Sequence, residues 1–162
     1  MNTDTVEGIP EFGEAVPGAD YILRPGGYII VRNSHGEIAV ISTPQGFFLP
    51  GGGQDGVETP AQAAVREAVE ECGLHVKVSR QLGRADELVF AASEGKYYRK
   101  RCAFFSAELV GCDECGEADH QLVWITAEEA ATRLRHKSQA WAVSESSLLI
   151  SSSSAHMPAE PP

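Results

Sequence analysis

The chain has 162 residues, 43% of them apolar, with 13 Lys and Arg against 23 Asp and Glu and a formal net charge of −10. That size and composition suit one domain with its own hydrophobic core, and no apolar run reaches the roughly eighteen residues of a membrane span. An acidic chain does not attract a polyanion over a broad surface, so generic DNA or RNA binding is excluded.

The first residues, Met1 to Gly8, show neither the basic region nor the apolar stretch of a secretory signal. A cytoplasmic location and no membrane partner are therefore expected. Residues 1–19 are polar, punctuated by Gly and Pro and without periodicity, and read as a flexible N-terminal arm before a domain spanning 20–150. A short strand is expected near Tyr21-Ile22-Leu23. A β-rich run from Gly27 to Arg32 closes on the turn signal Asn33-Ser34-His35-Gly36. Glu37 to Ser42 reads as the return strand and Thr43 to Gly46 as a second turn. Phe47-Phe48-Leu49 then leads into Pro50-Gly51-Gly52-Gly53.

The helix that follows is well specified. Thr59 is a natural N-cap, Pro60 suits the first helical position, Gln62 completes a capping box and Gly73 ends the helix. Ala61, Ala64, Val65, Ala68 and Cys72 mark its core face, and the small alanines let it lie close to a sheet. Leu74 to Val78, Gln81 to Phe90 and Arg99 to Val110 read as strands, and 111–120 as a polar loop. Gln121 to Ile125 is a short strand carrying Trp124. Thr126, with Glu129 as capping partner, opens a second helix to about His136, and a third helix spans Gln139 to Leu149. The tail 151–162 is low in complexity and is expected to be disordered. Cys72, Cys102, Cys112 and Cys115 are not expected to form a disulfide framework in a chain of cytosolic character. Cys112 and Cys115 form a lone CxxC that, with His120, still falls short of the four ligands of zinc.

The chemistry is concentrated on the first helix. Glu67, Glu70 and Glu71 sit at i, i+3 and i+4, and so share one face. Three carboxylates on one face repel one another, and a hard divalent cation with oxygen ligands, Mg²⁺ or Mn²⁺, relieves the repulsion. A solvated acidic face is the plainer reading of such a helix taken alone.

The surrounding spacing adds to that reading. Residues 52–74 resemble the Nudix box, Gly-x5-Glu-x7-Arg-Glu-U-x-Glu-Glu-x-Gly-U with U aliphatic. Gly52, Glu58, Arg66, Glu67, Glu70, Glu71, Gly73 and Leu74 fill its fixed positions. Ala68 departs from the bulkier aliphatic usual at the first U. The flanking strand pattern extends the similarity over roughly residues 20–145. The resemblance implies an α/β Nudix fold, a mixed β-sheet sandwiched between α-helices. It also implies Mg²⁺-dependent hydrolysis of a nucleoside diphosphate linked to another moiety, with Mn²⁺ as an alternative ion. By the same resemblance Glu70 and Glu71 are direct metal ligands, and Glu67 is a further ligand or the base that orients the attacking water. Arg66 holds Glu67, the Gly51 carbonyl joins the metal shell, and Glu58 ties the loop to the helix. A later-loop carboxylate is implied as well. Glu117, Asp119 and His120 are the candidates, and Glu117 is taken as the metal ligand.

The one basic, aromatic cluster is Lys96-Tyr97-Tyr98-Arg99-Lys100-Arg101. On a strand Arg99 and Arg101 share one face and Lys100 takes the other. Arg99, Arg101, Tyr98 and Arg24 are the substrate-binding candidates, with Tyr98 available to stack on a base; a charged edge strand is the alternative. Tyr28 is explained by strand packing, and Phe47 and Phe48 by core or pocket wall. Trp141 either covers the pocket or packs the last helix onto the sheet. His35 is a turn residue, and His75 and His136 are given no role.

The resemblance leaves the substrate open. Features expected of ADP-ribose, dinucleoside polyphosphate and coenzyme A hydrolases are missing, and what remains resembles a MutT-like bacterial group. The implied partner is a small nucleotide diphosphate, and a homodimer is compatible with the family. Two other readings stand beside the hydrolase: a non-catalytic Nudix-fold nucleotide-binding or regulatory domain, and an isopentenyl-diphosphate isomerase-like enzyme. The isomerase would require a catalytic Cys and Glu outside the box, which the sequence does not locate.

Overall fold

The computed structural model describes residues 8–114 and 117–154, with backbone only for 148–154. Tyr28 and Ile30 alternate with Ile29 and Val31 along one strand, and all four are buried. They belong to two separate apolar clusters. A strand buried on both faces belongs to a sheet covered on both sides.

The elements run β1 (Glu11–Phe12), β2 (Tyr21–Val31), β3 (Ile38–Thr43), β4 (Gly46–Phe48), β5 (Gly51–Gly53), α1 (Pro60–Cys72), β6 (Leu74–Ala91), β7 (Lys96–Cys112), β8 (Gln121–Ile125), α2 (Ala127–Arg133) and α3 (Lys137–Ser154). Five strands form one sheet in the order β1-β6-β7-β2-β5, and three form another in the order β4-β3-β8. β2 runs parallel to β7 and β1 parallel to β6, while the other pairs are antiparallel, so the larger sheet is mixed. Tyr28, Ile30 and Phe104 pack with Ala130 of α2 and Ala142 and Val143 of α3. Ile29, Val31 and Phe105 pack with Ala64, Ala68 and Cys72 of α1. The result is the expected α/β sandwich, with α1 on one side and α2 and α3 on the other. No helix among the described residues is long and apolar enough to cross a membrane.

Several boundaries differ from expectation, each for a physical reason. The two short strands expected at Tyr21-Leu23 and Gly27-Arg32 are one strand, β2, which runs through Pro25-Gly26-Gly27. These glycines serve close approach rather than a turn. A Cβ at Gly26 would lie 2.5 Å from the Gly52 carbonyl oxygen, and one at Gly27 only 1.8 Å from that of Pro60. Leu74 to Ala91 is likewise one strand, with its expected break absorbed by register shifts at Val78/Arg80 and Gln81/Gly83.

The expected N-terminal arm is partly structured. β1 pairs with β6, Phe12 lies 6.0 Å from the Trp141 ring, and Glu11 forms an ion pair with Arg99. Trp141 therefore packs α3 onto the sheet and does not cover a pocket; its ring also meets Phe104 edge-on at 6.4 Å. α3 continues to Ser154, past the expected domain end at 150. The remainder of the expected tail, residues 1–7 and Cys115 of the CxxC lie outside the described residues.

Candidate active site

The placement of α1 follows from its ends and its core face. The Thr59 hydroxyl accepts the Gln62 backbone N–H at 3.2 Å, and the Gln62 side chain accepts the Thr59 N–H at 2.9 Å. Gly73 closes the helix in the left-handed conformation that a glycine adopts without strain. Buried Ala63, Ala64 and Ala68 bring the helix down onto the sheet. Its acidic face then meets the β5 glycines at the rim of a cavity of about 650 Å³. Gly51, Gly52, Gly53, Arg66, Glu67 and Glu71 form one wall, and Arg24, Phe48, Lys100, His120 and His136 contribute to the rest.

Arg66 organises the acidic wall. Its guanidinium grips Glu58 with two bonds, Nε to Oε2 at 2.8 Å and Nη2 to Oε1 at 2.9 Å. Nη1 donates to Glu67 and to Glu70, each at 3.0 Å, and Nη2 also reaches the Gly53 carbonyl at 3.2 Å. One side chain thus ties the glycine loop, the Glu58 turn and two helix glutamates together, as expected for Arg66 and Glu58. The Arg66 bonds hold the Glu58 carboxyl below its usual range. A lysine has neither the fork nor enough donors for these partners. Arg66→Lys is expected to lower kcat by roughly 10- to 100-fold with little change in Tm, measured by steady-state kinetics beside thermal melts.

Glu67 and Glu71 sit in a different environment. Burial pushes the Glu67 carboxyl up, against the pull of Arg66. Burial pushes Glu71 up to about 8, reinforced by the negative charges of Glu67, Glu117 and Glu70 and only partly offset by the Gly51 N–H. That N–H donates to Glu71 Oε1 at 3.0 Å. Gly52 lies so close to the helix that a Cβ there would sit 2.8 Å from Glu67 Cδ. Two partly buried carboxylates that resist ionisation, on a concave wall with a third acid nearby, form a donor set suited to a hard divalent cation. The oxygens of Glu67 and Glu71 would hold it.

The other expected ligands are placed less directly. Glu70 does not line the cavity; it is half exposed and tied to Arg66. Gly51 is at the rim, where its N–H engages Glu71. Glu117, Asp119 and His120 lie together, with one ligand atom of each within 4.8 Å of the others. The charge of Glu117 is felt at both Glu67 and Glu71, and His120 lines the cavity.

The basic cluster is arranged differently from expectation. Arg99, only 3% exposed, is ion-paired with Glu11 and with Asp86 at 3.1 Å, and Arg101 pairs with Asp86 at 2.9 Å. Both stand on the face of β7 turned away from the cavity, where they hold β1 and β6. Their alternate neighbour Lys100 lines the cavity instead. Tyr98 is only 3% exposed and so offers no free face to a base; the Arg24 guanidinium lies over its ring at 4.0 Å and its hydroxyl donates to Glu94. Arg24 itself lines the cavity.

Sequence reasoning missed three residues of the wall. His136 stands 3.4 Å from Glu87 by its Nδ1 and 5.3 Å from the Phe48 ring. Gln139, 1% exposed, accepts the Leu49 N–H at 2.8 Å and so fixes the strand that leads to the glycines. Cys102 is 3% exposed, and burial pushes its thiol up to about 12. It remains a neutral thiol, unlike an activated nucleophile. No periodicity marks any of the three.

Comparison with known proteins identifies the family and the fold. A family model described as NUDIX domain matches residues 22–145. Over 104 residues the chain is 36% identical to "Nudix hydrolase 18, mitochondrial" of Arabidopsis thaliana, covering 61% of this chain and 56% of that protein. The chain thus spans little more than half the length of the curated relative it matches. Among solved structures, a MutT protein from Methanosarcina mazei Go1 superposes with a TM-score of 0.66 at 18% identity, covering 81% of this chain and 97% of that one. A MutT NUDIX hydrolase from Burkholderia pseudomallei superposes with a TM-score of 0.59 at 24% identity, covering 76% and 98%.

Proposed function

The chain belongs to the NUDIX domain family, and from its site we propose that it is a Mg²⁺-dependent hydrolase of the diphosphate linkage in a nucleoside diphosphate derivative. The observation that carries this reading is the wall of Glu67 and Glu71. Two carboxylates with raised proton affinity face a cavity beside close-packed glycines, under the control of a four-partner arginine. When bound, the divalent ion would neutralise the diphosphate and lower the barrier to in-line attack by water.

The residues supply the rest. Arg66 holds Glu67 Oε1 and so orients the carboxylate, whose other oxygen would either join Glu71 on the ion or accept a proton from the attacking water. The β5 glycines admit a phosphate close to the backbone. Arg24 and Lys100, across the cavity, attract the substrate's negative charge, which the net −10 chain otherwise repels.

The reading is tested by product release from a panel of nucleoside triphosphates, nucleotide sugars, ADP-ribose and dinucleoside polyphosphates, with Mg²⁺ or with EDTA. Metal-dependent release from one class is expected. A folded protein that binds Mg²⁺ and releases nothing from any class would favour the non-catalytic binding domain.

A second test uses pH. Because the folded protein raises the proton affinity of Glu71, its contribution to stability is fully present below about pH 4.5 and fades as pH rises through about 8. Glu67 acts in the same direction. A divalent ion takes over the role of the bound proton. The Tm increase caused by Mg²⁺ is therefore expected to be larger at pH 8.5 than at pH 5.5, read by thermal melts against EDTA. An increase that shrinks with pH would remove these carboxylates from the ion's ligand set.

A further inference from the structure

Four cationic side chains without an ion-pair partner among the described residues gather in one place. Arg24, Lys100, Arg135 and Lys137 line a second cavity of about 640 Å³. This cavity adjoins the active-site cavity, since Arg24, Lys100 and His136 stand in the walls of both. Among the other cations Arg66, Arg99, Arg101 and Arg133 are ion-paired, and Arg135 itself donates to the Gln45 carbonyl oxygen at 3.2 Å.

The two acids of the second cavity, Glu94 and Glu87, offset two of its four positive charges and leave it net positive. Glu94 accepts the Tyr98 hydroxyl. Glu87, 4% exposed, lies 3.4 Å from the Ser138 backbone N–H and 3.4 Å from His136 Nδ1. The Arg24 guanidinium is fixed over the Tyr98 ring, so it is pre-organised at the junction of the two cavities. Mutually repelling cations held around a concavity are stabilised by an anion with several acceptor oxygens, and phosphate is the group best matched to guanidinium and ammonium donors.

We propose that this second cavity is a subsite for phosphate outside the diphosphate to be hydrolysed. The substrate class is then a diphosphate whose far end carries a phosphomonoester. This rests on the hydrolase reading above and narrows it. A diphosphate with a neutral far end engages only the shared cations Arg24 and Lys100, whereas a phosphorylated one spans both cavities and also reaches Arg135 and Lys137.

The test has a binding arm and a kinetic arm, both on the full chain. In EDTA the carboxylate wall repels polyphosphate, so calorimetry with inorganic tripolyphosphate reports the basic cavity. Binding is expected to weaken at least about tenfold in Arg135→Ala/Lys137→Ala. It should be unchanged in Lys77→Ala, which removes an exposed charge from neither cavity. No binding, or an equal loss in the Lys77 variant, would overturn the subsite. In the kinetic arm kcat/KM is compared within the matched pairs NADH and NADPH, and dephospho-coenzyme A and coenzyme A. Each pair differs by one phosphomonoester. The phosphorylated member is expected to be preferred by about tenfold or more in at least one pair, and the preference should collapse in the double variant. Tripolyphosphate binding with no preference in either pair would assign the cavity to a free polyphosphate and overturn the substrate class. Absence of turnover altogether would count against the hydrolase reading, while the binding arm would still decide whether the cavity takes phosphate.

Discussion

Glu71→Gln is expected to remove turnover while leaving the metal-free protein at least as stable as the wild type at alkaline pH. Gln keeps an oxygen that can accept the Gly51 N–H, so the link between loop and helix survives. What disappears is a partly buried negative charge disfavoured by burial and by Glu67, Glu117 and Glu70. Each unit of raised proton affinity corresponds to about 1.4 kcal/mol, so a shift to about 8 represents strain on the order of a few kcal/mol at high pH, reduced by residual solvent contact. At pH 8.5 the variant's Tm in EDTA should equal or exceed that of the wild type, and its Mg²⁺-induced rise should be largely lost. Turnover should fall roughly a thousandfold, the equivalent of about 4 kcal/mol of transition-state stabilisation. A purely structural glutamate would give the opposite result: lower stability with activity retained in the molecules that still fold.

The second large effect is on the fold. Gly27→Ala would place a Cβ 1.8 Å from the Pro60 carbonyl oxygen, at the first residue of α1. Neither partner can yield easily. β2 is held in register by β7 on one side and β5 on the other, and the start of α1 is pinned by the Thr59–Gln62 capping box. Relief requires α1 to lift from the sheet and to carry Arg66, Glu67 and Glu71 away from the β5 glycines. Overpacking of this kind costs about 3 kcal/mol, and loss of the site geometry should follow. Urea denaturation is expected to show the loss in stability. The fraction that remains folded should show kcat reduced beyond what unfolding accounts for. Gly36→Ala, where an added Cβ meets nothing within 4 Å but φ is +75°, should be milder. Gly27 is not among the positive-φ glycines, so equal effects at the two positions would contradict the close-approach account.

Much of this architecture was legible in the chain. The capping residues Thr59, Pro60, Gln62 and Gly73 are local signals, and α1 begins and ends where they place it. The bonds of Arg66 to Glu58 and to Glu67 were implied by the resemblance to the Nudix box, and they close within one turn and one helix. Less legible were features set by distant contacts. Pro25-Gly26-Gly27 looks like a turn, yet it lies inside a strand because the glycines admit Gly52 and Pro60. Arg99 and Arg101 share a strand face as alternation requires, but which face meets the cavity depends on Asp86 and Glu11 across the sheet. His136 and Gln139 reach the cavity only because α2 and α3 fold back beside β4 and β5. No local pattern encodes that return.

The most direct test of the account is Mn²⁺ occupancy and turnover measured together in one titration, with free and bound Mn²⁺ distinguished by electron paramagnetic resonance. Turnover of the best substrate in the panel is predicted to rise in proportion to a bound population that disappears in Glu71→Gln. Turnover independent of that population, or Mn²⁺ bound equally well by the variant, would contradict the assignment of Glu71 to the metal site.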